Sequence, residues 1–221
     1  MVGRRSSATR WVDSERAKAV GVTGVILALA CGLVPRSAPG STIDEQRALL
    51  PPAASCDDPV VGVWQAHNYR TRQGHWAEHS IEVRRASPSS NDLVGRALYP
   101  GWSGSPEVLD PPGCDRTEHR VEVAMPARGR NSGLDVEFWG VEPWEIQHMH
   151  CGDSGSFCYN LDHFSGTIDP EIQQFQSVNN DGEIPVDERV VFRRIRCLEG
   201  PATALIQPPP FQPASNLGCE F

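Results

Sequence analysis

The feature that most constrains this chain is a period-two rhythm. Between residues 56 and 200, apolar side chains recur mostly at every second position. Successive residues of a strand point to opposite faces, so this spacing predicts half-buried strands. Val60 to Tyr69 is one such segment. His79, Ile81 and Val83 share one face of a second, and Leu93 to Tyr99 forms a third. Val121, Val123 and Met125 alternate with Glu122 and Ala124, and Leu134, Val136 and Phe138 alternate with Asp135 and Glu137. Trp144, Ile146, His148 and His150 share a face, as do Phe157, Tyr159, Leu161 and His163, and finally Val191, Arg193, Ile195 and Cys197. Turn-forming clusters separate them: Arg72 to Gly74, Ser87 to Asn91, Gly129 to Gly133, Gly140 to Pro143, Gly152 to Gly155 and Asn179 to Gly182. Asp169-Pro170-Glu171, with Ile172 and Phe175 three apart, reads either as a helix start or as a ninth strand. The chain also carries 20 Gly and 19 Pro in 221 residues, too many for a helical bundle. The expected fold is all-β: an antiparallel up-and-down meander of about eight strands closed into a barrel, because closure removes edges that would otherwise aggregate.

The first thirty residues read as an export signal. Arg4, Arg5, Arg10, Arg16 and Lys18 form a basic head, and Ala19 to Ala30 is an uncharged, mostly apolar run of 12 residues. A bilayer span needs about 20 residues, so this run is too short to be one. Lys18 is the only lysine, so every other cation is arginine. Leu27-Ala28-Leu29-Ala30-Cys31 resembles the lipobox of bacterial lipoproteins. That resemblance implies a lipidated Cys31 and, with Gly32 rather than Asp following it, sorting to the outer membrane; ordinary secretion is the alternative. The six further cysteines, Cys56, Cys114, Cys151, Cys158, Cys197 and Cys219, are an even set, expected to form three disulfides in an exported protein. No C-x-x-C spacing occurs, so structural zinc on these thiols is not expected.

Charge narrows the partners. The chain has 20 basic and 28 acidic residues; the signal holds five and two of these, so residues 31–221 carry 15 against 26, a net −11. Such a balance disfavours nucleic acid and anionic lipid surfaces, leaving a lipid anchor as the only expected route to a membrane. Residues 31–55 read as a flexible linker rich in Pro and small residues, with a short helix predicted over Ile43 to Leu50 from the capping-box spacing of Thr42 and Glu45. The barrel domain is expected over 56–200, and 201–221 form a Pro-rich tail.

Gly62-Val63-Trp64 on the first strand resembles the G-x-W motif of lipocalins and the wider calycin group. In that group an Arg of the last strand packs over the Trp at the closed end of the barrel. Arg193, Arg194 and Arg196 lie on the last strand here, and Arg193 shares parity with Val191 and Ile195, which makes it the expected inward residue. The resemblance implies a lipocalin-like barrel.

Several residue groups suggest chemistry. His148 and His150 sit two apart on one strand, so both imidazoles face one way and could reach one zinc, copper or iron ion, with His79 and His163 on the same face. No other cofactor is expected. Trp64, Trp144 and Tyr159 with these histidines offer apolar surface plus polar handles, the usual lining of a small-molecule site. Gly152-Asp153-Ser154-Gly155 matches the protease nucleophile motif only superficially, since the chain lacks the length and the histidine setting of that family. Asn179 to Gly182 lacks the later Glu of a calcium loop and reads as a turn. The leading functional reading is an exported, lipid-anchored barrel that binds a small, partly apolar molecule. The alternatives are a metal-dependent enzyme on the same barrel through His148 and His150, and a structural lipoprotein with a filled interior.

Overall fold

The computed structural model describes residues 41–71, 73–111, 120–150, 159–182 and 187–199, the side chains of 148–150 excepted. The signal, Cys31, Cys114, Cys151, Phe157, Cys158, Cys219 and the Pro-rich tail lie outside these residues. One short helix, α1 (Ile43–Leu49), precedes nine strands: β1 (Gly62–Arg70), β2 (His75–Arg85), β3 (Asp92–Ser103), β4 (Arg120–Ser132), β5 (Asp135–Gly140), β6 (Glu145–His150), β7 (His163–Asp169), β8 (Gln174–Asn179) and β9 (Glu188–Arg196).

All pairings are antiparallel and, apart from β4–β6 and β5–β7, join neighbours in sequence; β1 meets β9 to close the wall. β5 and β6 share one place in it. β5 pairs with Ala127–Ser132 of β4 and β6 with Arg120–Ala124, so they are two halves of one strand, broken at 141–144 beside a cis Glu142–Pro143 bond. The result is an eight-stranded closed barrel, as the alternation predicts. The region after Asp169 is not a helix: residues 170–173 turn, with Gln173 at φ 55, and β8 follows. Of the strand expected over Phe157 to His163, residues 159–162 are irregular and 157–158 lie outside the described residues; β7 begins at His163. Gly129 lies inside β4 rather than in a turn, packed against the backbone of Glu137.

The barrel interior is apolar over most of its length. Ile81, Val123, Met125, Phe138, Phe164, Phe175 and Phe192 are all buried in one cluster. Phe192 meets Phe164 edge-on at 4.8 Å and stacks on Phe175 at 5.8 Å, geometries that suit ring quadrupoles.

Residues 41–55 pack along the barrel wall, the Ala54 N–H donating to the Arg194 carbonyl at 2.8 Å. Thr42 caps α1, its hydroxyl accepting from the Glu45 N–H while the Glu45 carboxylate accepts from the Thr42 N–H. The helix lies on the outer face of β9. Buried Gln46 accepts from the Val191 N–H at 3.0 Å and donates to the Arg189 carbonyl at 3.1 Å. This cover explains why Val191 and Phe192, on opposite faces of one strand, are both buried.

One end of the barrel is closed by Arg194, not by Arg193. The guanidinium carbon of Arg194 sits 5.1 Å from the centroid of the Trp64 rings, and the residue is 1% exposed. It donates to the carbonyls of Asp58 and Val61 and to Gln173 Oε1. A bulge between Val63 and Trp64 puts Trp64 opposite Arg194. Val190, Phe192 and Arg194 therefore face inward, and the parity of Val191, Arg193 and Ile195 is that of the outer face under α1. Arg193 instead donates to the carbonyls of Arg47, Leu50 and Pro51, tying down the segment after the helix. Beside this end, Cys56 and Cys197 form a disulfide across 141 residues of chain, a closure that in a chain-entropy account stabilises the fold by about 5 kcal/mol. The other four cysteines expected to pair lie outside the described residues.

Gly62 is required at this closure. A Cβ there would lie 2.6 Å from Arg194 Cδ and 2.9 Å from the Arg196 carbonyl oxygen, the second of which cannot move away. Gly62→Ala should lower the unfolding free energy in urea by about 2 kcal/mol, the usual cost of overpacking, with an unchanged denaturant slope. An unchanged midpoint would contradict the packing described.

Candidate functional site

The end opposite Trp64 is lined differently. There the inward positions of β1, β2, β3, β8 and β9 are Asn68 and Arg70, His75 and His79, Tyr99, Asn179, and Glu188. Tyr159, Asp162 and Asp181 join them from the connections on either side of β7 and β8. Arg70 pairs with Glu188 at 2.7 Å and approaches Asp181 at 4.0 Å. Asn68 Nδ2 donates to Glu188 at 3.0 Å. Asp162 accepts from the Tyr159 hydroxyl at 2.5 Å and from Asn179 Nδ2 at 2.8 Å, and the same amide nitrogen reaches Asp181 at 3.1 Å. His75 Nε2 and the Tyr99 hydroxyl are 2.8 Å apart. Gly101 makes room for that pair, since a Cβ there would lie 2.6 Å from His75 Nε2.

Rings connect this network to the partly exposed surface. Trp144 meets Tyr159 at 6.1 Å, Tyr159 meets Tyr99 at 5.3 Å, and Tyr99 meets His79 at 5.0 Å. Two buried acceptor-bearing groups in the network, Asn68 Oδ1 and His79 Nε2, have no hydrogen-bond partner among the described residues.

Burial sets the charge states. It pushes His75 down to about 4, with the Arg70 charge adding to the effect. His79 is fully buried and held well below the usual imidazole range by the same two causes. Both imidazoles are therefore neutral near pH 7. Burial raises Asp162 to about 6, against the hydrogen bonds from Tyr159 and Asn179. Burial also opposes ionisation of Tyr159, reinforced by Asp162 beside it. For Arg70 burial acts against the charge, but Tyr99, Glu188 and Asp162 outweigh it and keep the guanidinium protonated. The assembly can thus bind through hydrogen bonds, ring faces and a proton held near neutrality.

The structure divides the set predicted from sequence. His79, Tyr159 and Trp144 come together. Trp64 does not join them: it is 2% exposed at the opposite end, donating to the Val60 carbonyl at 2.9 Å. His163 faces outward, because the inward residue of β7 is Phe164; it pairs with Glu137 at 3.0 Å and lies edge-on to Trp139 at 6.0 Å. His79 and His163 consequently do not share a face. The backbone register sets His148 opposite Glu122 and His150 opposite Arg120; their side chains lie outside the described residues. Among the described residues no group of three or more potential ligands could hold a metal ion. Trp102 points out of the barrel yet is fully buried, because residues 104–108 fold over it and accept hydrogen bonds from the Trp102 and Trp76 indoles.

Asn68, Arg70 and Glu188 escaped the sequence reading. Parity with Trp64 marks Asn68 and Arg70 as inward, and that signal was available. Asn179 and Asp181 look like turn residues and give no sequence sign of their role inside.

An open groove of about 490 Å³ adjoins the network, lined by Asp162, Asp181, Leu161, Trp139 and His163 among others. No family model matches the chain, and neither a curated protein nor a solved structure is detectably similar to it.

The two ionisation patterns oppose each other in acid. Native Asp162 takes up its proton near pH 6 and the unfolded chain near 3.8, so this group adds stability as pH falls through that window. His75 and His79 do the reverse: the unfolded chain protonates near 6.5 and the native one lower, so their contribution is lost as pH falls from about 6.5. Asp162→Asn removes the opposing gain. Urea titrations at pH 7.5 and 4.5 should therefore show a larger loss of stability on acidification in Asp162→Asn than in the parent. Equal losses would mean that Asp162 keeps an ordinary carboxylate affinity.

Proposed function

We propose that this chain is an exported, lipid-anchored barrel of lipocalin type that binds a small, partly apolar molecule at its polar end. One observation carries the reading: a run of rings from half-buried Trp144 through Tyr159 and Tyr99 ends at buried His79 and a hydrogen-bonding network. Such a site supplies apolar contact area and a few oriented polar groups, the two requirements of small-molecule recognition. The opposite end is plugged by Arg194 over Trp64 and by an aromatic core, so it offers no comparable room.

Support for the lipocalin assignment is the G-x-W sequence at Gly62 to Trp64 together with a last-strand guanidinium over that indole, on an eight-stranded meander. Support for anchoring is the sequence Leu27 to Cys31 alone. The molecule would then hang from an outer membrane by its lipidated N-terminus, with the barrel in an aqueous compartment.

Native mass spectrometry of detergent-extracted protein from its own host tests both parts. A 1:1 small-molecule adduct is expected on the parent and should fall at least tenfold in Trp144→Ala. A diacylglyceryl mass on Cys31 is expected and should vanish in Cys31→Ala. Absence of any adduct overturns the binding role, and an unmodified Cys31 overturns the anchor.

A further inference from the structure

The outward side chains of β4, β5 and β7 form rows across three strands. Glu137 lies between Arg130 and Ser165, Trp139 between Arg128 and His163, and Asp135 between Ser132 and Thr167. Two open cavities, of about 490 and 380 Å³, lie over these rows and share Arg130 and Glu137 as lining. Trp139 and His163 line the first, and Asp135, Ser165 and Thr167 line the second. Together they form a trough that follows β5 from Asp135 to Trp139, about 13 Å at the rise of a strand. The short side chains of Ser165 and Thr167 leave room beside the longer Arg130, Glu137 and Trp139.

This trough joins a ring to a fixed polar array. Trp76 and Trp102 also point outward from the wall, but residues 104–108 cover them and accept from their indoles. Trp139 is half-buried and left at the open trough, with His163 edge-on to it at 6.0 Å. Glu137 holds the centre: its Oε2 accepts from Arg130 Nε at 2.7 Å and lies 2.6 Å from Arg130 Nη2, and its Oε1 lies 3.0 Å from His163 Nε2. Hydrogen bonds from Arg130 and then His163 hold the Glu137 carboxyl below the usual carboxylate range, so it stays ionised. Thr167 Oγ1 donates to Asp135 at 2.7 Å. These groups still meet solvent: the Arg130, His163 and Glu137 side chains are 70%, 40% and 29% exposed.

The pairing restricts the ligand. An anion would have to part Arg130 from Glu137, and a cation would compete with Arg130 for the carboxylate. A hydroxyl displaces neither. A guanidinium has five donors and a carboxylate about four lone-pair sites, and a hydroxyl both donates and accepts. Neighbouring hydroxyls of one ligand can therefore bridge Arg130, Glu137, Ser165 and Thr167 while the ion pair stays closed.

We infer that this trough is a second binding site, for a neutral oligosaccharide, with the apolar face of one sugar ring on Trp139 and hydroxyls of that ring and the next on Glu137, Arg130, Ser165 and Thr167. The indole supplies apolar contact area at fixed geometry, and the ion pair holds its polar groups in place before the sugar arrives, which lowers the ordering cost of binding.

The site lies on the outside of the wall and does not depend on a ligand at the polar end. The test is calorimetric titration of the full exported chain with cellotetraose, maltotetraose, tetra-N-acetylchitotetraose and tetragalacturonate. At least one of the three neutral chains should bind saturably, and more tightly than tetragalacturonate. Trp139→Ala should weaken that binding about tenfold, the scale of one lost ring contact. Ser165→Gln, which fills the trough from an outward position, should weaken it as much, and Trp144→Ala should leave it unchanged. Circular dichroism identifies any variant that fails to fold, and Ser165→Gln decides if Trp139→Ala does not. Tightest binding of tetragalacturonate overturns the neutral-sugar assignment. Binding that survives Trp139→Ala and Ser165→Gln, or that is lost in Trp144→Ala alone, overturns the location. No binding of any of the four sugars overturns the inference, whatever the mass spectra show for a ligand at the polar end.

Discussion

A closed barrel needs its first and last strands to find each other, although they are separated by most of the chain, and here Arg194 performs that task. Its guanidinium covers the Trp64 indole on β1 and satisfies the Asp58 and Val61 carbonyls just before that strand and the Gln173 amide oxygen before β8. A fully buried arginine is costly unless its donors are met and its charge lies against a favourable surface; the ring face and three acceptors meet both conditions. Trp64 lies opposite Arg194 in the β1–β9 register, so the contact bridges the seam itself, the same seam that carries Asn68 and Arg70 on β1 and Glu188 on β9 towards the far end. Gly62, the Cys56–Cys197 disulfide and the α1 cover all lie around the same seam.

The two ends of the interior are built from different chemistry. Towards Trp64 the interior holds aromatic and aliphatic side chains in close contact, the source of most of the folding free energy. Towards Arg70 the same wall encloses carboxylates, amides, imidazoles and a guanidinium. A buried polar network of that size returns little net stability, because each group gives up hydration for the bonds it makes. A chain selected for folding alone would gain from leucines at these positions. Carrying Asp162, His79, Asn68 and Asn179 there instead fits a site whose polar groups are presented to something else.

Much of the fold was legible because alternation is a direct consequence of strand geometry. It located the walls of the barrel and their order, and the capping box located α1. It failed where a second force overrode the period. On β9 the helix buries the outer face, so apolar residues occupy both faces and parity loses its meaning; a bulge on β1 then selects Arg194 over Arg193. Shared parity with Phe157 predicts an inward His163, but 159–162 are irregular and β7 begins at His163 with Phe164 facing in. β8 was masked by the helix-like spacing of Ile172 and Phe175, which a tight turn at Gln173 separates. The candidate site was legible only in part, through Trp144, Tyr159 and His79. Its charged members come from turns and strand ends, where local sequence records the turn and not what the turn encloses.

The most direct measurement is a double-mutant cycle across the closure, comparing urea unfolding of the parent, Trp64→Leu, Arg194→Met and the double variant. A desolvated cation–π contact predicts a coupling of about 1–2 kcal/mol between the two positions. Additive losses, with a coupling indistinguishable from zero, would contradict the account that the seam of this barrel is held by a guanidinium against an indole.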